Sequence, residues 1–90
     1  MIPAHVRERL RAVERHVRAM QSGTRRSLVV TPPSSGFPSN GRWMVWQDYT
    51  AGGIKGRYIF AEHPNPIALL QAVRTKLGLR VDDHPIGRLR

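Results

Sequence analysis

Residues 42–78 read as one unit: a strand, a glycine-bearing turn, a second strand and a capped amphipathic helix. No other stretch of the chain limits its fold so tightly, because a hairpin turn fixes which side chains oppose each other across two strands. A turn centred on Ala51 and Gly52 sets Trp43 opposite Phe60, Val45 opposite Tyr58, Gln47 opposite Gly56 and Tyr49 opposite Ile54, an almost wholly apolar and aromatic face. The reverse face then pairs Met44 with Ile59, Trp46 with Arg57 and Asp48 with Lys55, giving an opposite-charge pair and a cation–π contact. A turn at Gly52 and Gly53 suits a primed turn better and pairs Asp48 with Arg57, but it sets Glu62 opposite Trp43 and Phe60 opposite Val45. The first register is therefore the expected one.

The helix that follows has a start and a stop written into it. Asn65 is a good N-cap, Pro66 suits the first helical position, and Gly78 suits the left-handed residue past the last turn, with Leu79 as its apolar partner. Ile67, Leu70, Val73, Arg74 and Leu77 fall at helical spacing, and Leu69 and Ala72 widen the stripe. Arg74 and Lys76 complement the dipole at the C-terminal end. A helix over residues 66–77 is predicted.

Ahead of this unit, residues 3–20 form a second predicted helix. Pro3 opens it, and Val6, Leu10, Val13, Val17 and Met20 recur at spacings of four and three, as a helix packed on a sheet requires. The same residues are the candidate seam for a coiled coil or homodimer, although two heptads are short for stable association. Arg7, Arg11, Arg15 and Arg18 line the outer face, with Glu14 placed to pair with Arg18. Gly23 stops this helix, and Arg25 and Arg26 form a basic doublet before SLVVT at 27–31, a β-branched strand that Pro32 and Pro33 terminate. Residues 32–41, PPSSGFPSNG, are a loop rich in Pro, Ser and Gly in which Phe37 either anchors the loop on the core or stands out for a partner. The hairpin is assigned to 42–61. Residues 80–90 are aperiodic and read as a tail, ordered if Val81 or Ile86 packs on the core.

The predicted fold is a small α+β sandwich spanning 1–90, of order α-β-β-β-α, with a three-stranded antiparallel sheet packed by two helices. In order of elements it resembles the double-stranded-RNA-binding domain, and from Arg42 onward it resembles in outline the three-stranded, one-helix arm-binding domains of tyrosine recombinases. It lacks the Lys-Lys cluster that opens the second helix of the former, where Asn65, Pro66 and Ile67 stand instead. Order of elements implies a fold and leaves function to the site.

Ninety residues bury only about 60 to 65% of the unfolded chain's surface, too little for a roomy catalytic cleft. With no cysteine, thiolate chemistry and disulfides are excluded. The four histidines, His5, His16, His63 and His84, are scattered, and Asp82, Asp83 and His84 are the only dense donor cluster, so no metal and no cofactor are expected. His63 beside Glu62 is the nearest approach to a general base, and Gly52, Gly53 and Gly56 join two strands where a phosphate loop would join a strand to a helix. The chain reads as a non-enzyme. No apolar run nears the roughly 20 residues of a membrane span and the N-terminus has no signal-peptide core, so a cytoplasmic protein is expected.

Charge points to the partner. The formal net charge is +9, and since Lys55 and Lys76 are the only lysines among fifteen basic residues, the remaining thirteen are Arg, the side chain that forks onto phosphate and stacks on bases. Trp46, Lys55 and Arg57, with Met44 and Ile59, interleave aromatic, basic and apolar groups on one hairpin face, and Arg25, Arg26 and Arg42 extend the basic area. The expected function is binding of DNA or RNA through these residues. The alternative is a protein-interaction module, a regulator or inhibitor that docks through Phe37 and the Val6, Leu10, Val13, Val17 seam. What divides them is whether one helix covers each sheet face, burying Trp46 and Ile59, or both leave that face open.

Overall fold

The computed structural model describes residues 3–87. Helix α1 (Ala4–Gln21) leads into strand β1 (Ser27–Thr31), then β2 (Trp43–Ala51), β3 (Ile54–His63) and helix α2 (Pro66–Lys76). The three strands form one antiparallel sheet in the order β1-β2-β3, so the α-β-β-β-α arrangement holds.

Both helices lie on the same face. Val13, Val17 and Met20 of α1 and Leu69, Leu70 and Val73 of α2 join Leu28, Val30, Trp43, Val45 and Phe60 in one buried cluster. At roughly 1.5 to 3 kcal/mol for each large apolar side chain fully removed from water, this cluster supplies the main favourable term for folding. Val6 and Leu10 pack against its edge, so the apolar stripe of α1 is used internally. Ile86 is buried in the same cluster, and Arg74 Nη1 donates to the His84 carbonyl at 3.0 Å, which ties the chain past α2 back to the domain; Val81 stays exposed.

The α2 boundaries follow from its caps. Asn65 Oδ1 accepts from the backbone N–H of Ile67 (2.8 Å) and Ala68 (3.3 Å), and Pro66 occupies the first turn. At the other end Leu79 N–H reaches the Arg74 carbonyl and Gly78 N–H the Thr75 carbonyl, the paired bonds of a Schellman motif, with Gly78 at φ 72°.

The hairpin register corrects the expected one. Gly52 and Gly53, at φ 59° and 79°, form the turn, and Ala51 pairs with Ile54, Tyr49 with Gly56, Gln47 with Tyr58 and Trp46 with Ile59. A β-bulge then shifts the ladder between Val45 and Trp46: Val45 pairs with Ala61, Met44 with Glu62 and Trp43 with His63, leaving Phe60 as the extra residue. Trp46 therefore does not face Arg57, and Asp48 faces Arg57 in place of Lys55. Two positive φ values at the turn centre are cheap only for glycine, and this demand outweighs the pairing that the expected register offered.

Candidate functional site

The face turned away from the helices carries Val29 and Thr31 from β1, Met44, Trp46, Asp48 and Thr50 from β2, and Lys55, Arg57, Ile59 and Glu62 from β3, as the register alternates them. Neither helix reaches it. Met44 is nonetheless fully buried and stands outside the helix-side cluster. The cover is the Pro/Ser/Gly loop, for Pro32, Ser34, Pro38 and Ser39 line a depression of about 280 Å³ together with Thr31, Met44, Trp46 and Arg57. Ser39, itself buried, braces this loop: its Oγ donates to the Arg42 carbonyl at 2.7 Å and accepts from Ser34 N–H at 3.0 Å. Asn40 N–H to the Gly36 carbonyl and Gly41 N–H to the Ser34 carbonyl, at 2.9 and 2.7 Å, close it further. A stretch with the composition of a flexible linker is thus a self-braced wall.

Beside that wall Trp46 is half-buried, its Nε1–H donating to Thr31 Oγ1 at 2.9 Å, which fixes the indole across the β1–β2 ladder. Its cross-strand neighbour Ile59 is 42% exposed. Arg57 follows, with Nε 2.6 Å from Asp48 Oδ1 and Nη2 at 3.4 Å from Oδ2, so Nη1 is left for another acceptor. The carboxylate holds the guanidinium pKa above its ordinary value, chiefly through that hydrogen bond. Lys55 and Arg57 also border a second open depression, of about 600 Å³, with Ser27, Asp48 and Thr50. Arg57 therefore stands between two hollows that run along the strands.

Arg42 sits at the loop end of this face, its Nη1 2.8 Å from Glu62 Oε1. The other expected contacts divide. Arg26 points to the helix side: its guanidinium lies 5.2 Å from the Phe60 ring centroid and donates to Gln47 Oε1. Lys76 approaches the same ring at 4.8 Å and donates to the Phe60 carbonyl, so the cation–π contacts form here, away from Trp46. Arg25 is exposed in the α1–β1 connection. Val13 and Val17 are buried in the core, whereas Phe37, at 91% exposure, stands out from the loop.

Among the described residues two ion pairs form, Arg42–Glu62 and Arg57–Asp48, and the expected Glu14–Arg18 pair does not. The open face is close to balanced in charge, with Arg42, Lys55 and Arg57 against Asp48 and Glu62. The excess lies elsewhere, notably on α1, where Arg9, Arg11, Arg15 and Arg18 are exposed. His63 Nδ1 accepts from Asn65 N–H at 2.9 Å, so it braces the turn into α2. No group of three His, Asp or Glu side chains among the described residues converges as metal ligands, and no described helix is long and apolar enough to cross a membrane.

Known proteins add nothing to this geometry. Comparison with protein-family models, with curated proteins and with solved structures returned no match.

The loop wall, the bulge and the Arg26–Phe60–Lys76 group escape reading from sequence. The first left one trace, since Ser34 and Ser39 are hydroxyl side chains in a segment with few other ways to satisfy its backbone.

Proposed function

We propose that the protein binds nucleic acid through the open sheet face, without catalysing a reaction. The observation that carries this reading is the sheet surface left clear of both helices, where half-buried Trp46 and exposed Ile59 adjoin Arg57 and Lys55. Indole and aliphatic groups beside cations suit a ligand that is both polyanionic and built of flat rings. The net charge of +9 favours such a ligand at long range, with the arginines of α1 raising its local concentration. At short range Lys55 and the remaining Nη1 of Arg57 offer phosphate contacts.

Fluorescence anisotropy with labelled oligonucleotides at rising salt tests this. Micromolar or tighter binding that weakens steeply between low and physiological ionic strength is expected; an affinity independent of salt would refute it. Lys55→Gln and Trp46→Ala should each weaken binding. Lys55 is exposed and forms no ion pair, so its replacement leaves the fold intact and gives the cleaner result.

The protein-docking alternative keeps one specific support, exposed Phe37, because Val13 and Val17 of the seam are buried. Stoichiometric copurification of one protein, with no affinity for nucleic acid, would favour it.

A further inference from the structure

Resting on the nucleic-acid reading, we propose that the ligand is single-stranded, with one unstacked base seated in the depression between the braced loop and Trp46 and an adjacent base stacked on Phe37. The loop depression has apolar walls from Pro32, Pro38 and Trp46 over the buried Met44, and at about 280 Å³ it has room for one flat heterocycle. Polar partners stand at its border. Thr31 and Ser34 carry hydroxyls there and Arg57 a guanidinium, groups that pair with the edge of a base or its phosphate.

Phe37 favours a ligand with unpaired bases. An aromatic ring exposed at 91% gains nothing from the fold, yet it is presented by a segment closed by three backbone hydrogen bonds and the buried Ser39 hydroxyl. Such bracing holds the ring without the ordering cost of a mobile loop. Its chain neighbours Pro38 and Ser39 line the depression itself, so Phe37 is carried by the same loop segment that walls the Trp46 site. Rings such as these offer faces, and a base can meet a face only when it is out of the helical stack; a duplex presents base edges in its grooves. From the depression the backbone passes Arg57, which borders both hollows, and continues to Lys55.

Two tryptophans give the experiment its probe. Trp43 is 4% exposed in the core and Trp46 is half-buried on the open face, so quenching on binding reports Trp46. The full chain is titrated at one salt concentration with a twelve-nucleotide DNA strand of mixed sequence, the same sequence as RNA, and the DNA duplex. Single strands are expected to quench the emission and bind at least about tenfold tighter than the duplex. Phe37→Ala, which removes a ring that packs on nothing in the core, should weaken single-strand binding about tenfold, the loss of one base stack, and leave duplex binding unchanged. Val81→Ala, at an exposed apolar residue outside this face, should change neither. Duplex binding as tight as single-strand binding, or full single-strand affinity in Phe37→Ala, overturns the inference while the nucleic-acid reading survives. Binding to none of the three overturns both.

Discussion

Replacing Met44 by Ala tests whether the loop is a fixed wall. Met44 is fully buried, but on the face that has no helix, so its burial depends on residues 32–41 staying down. Truncation removes the thioether and methyl carbons from a packed site, a change that costs about 2 to 5 kcal/mol where the surroundings cannot collapse. Against a total stability of roughly 5 to 13 kcal/mol for ninety residues, that loss is large. With a urea m-value near 1 kcal/mol/M, as suits a small domain, a loss of about 3 kcal/mol moves the unfolding midpoint down by about 3 M. Ser39→Ala supplies the control within the same loop. It removes the hydrogen bonds to Ser34 N–H and the Arg42 carbonyl, at a cost of about 0.5 to 1.5 kcal/mol each, and lets the loop loosen. If Met44 is buried by a loop that Ser39 holds, the double variant costs less than the sum of the singles by about 0.5 kcal/mol or more, since in the loosened background Met44 already meets water. Equilibrium urea unfolding of the four proteins measures all three quantities. A Met44→Ala cost under about 0.5 kcal/mol, the scale of an ordinary surface substitution, would refute the wall.

Asn65→Ala frees the N–H groups of Ile67 and Ala68 and should cost about 1 kcal/mol, which for ninety residues lowers the calorimetric Tm by about 5 °C. Burial, and then Arg15, lower the His16 pKa from its ordinary 6.5, so the folded state binds this proton less well than the unfolded state. The His16 contribution to stability is thus fully present above pH 6.5 and is lost as pH falls through the lowered folded value; melting curves should show a smaller loss on acidification in His16→Gln. In nucleic-acid titrations, Lys55→Gln should reduce the slope of log affinity against log salt by about 0.7, one phosphate contact to a single strand, whereas Phe37→Ala should lower affinity equally at every salt concentration.

Much of the fold was legible because its signals are local. SLVVT between a basic doublet and two prolines, and a helix running from Asn65-Pro66 to Gly78, need no knowledge of the rest of the chain. The candidate site was legible only in composition. Trp46, Arg57 and Ile59 share a face as expected, but Arg26 turns to Phe60 and Gln47, a placement decided by which side of β1 the helices occupy. The short connections on either side of the sheet bring α1 and α2 to one face, and that choice leaves Trp46 without a helix over it. Phe37 shows the same limit. Its two readings, anchor or projecting ring, differ only in how the loop folds, and the loop is set by the Ser39 hydrogen bonds and by Met44 beneath it.

The hairpin shows how two sound local rules conflict and are reconciled. The Gly52-Gly53 turn satisfies the backbone, yet continued without interruption its register would set Glu62 opposite Trp43, on the buried face. An unpaired carboxylate there costs several kcal/mol. Shifting the turn to Ala51-Gly52 removes the charge but asks Ala51 to adopt a glycine conformation. The bulge at Phe60 meets both demands: one extra residue in β3 keeps Phe60 in the core and moves Glu62 to the opposite face, across from Met44. There its carboxylate accepts from Arg42, whose carbonyl in turn accepts from Ser39. The irregularity that protects the core thus also supplies the ion pair that holds the end of the loop. The wall beside Trp46 and the bulge are one structural solution, and an unbroken β2–β3 ladder would have neither.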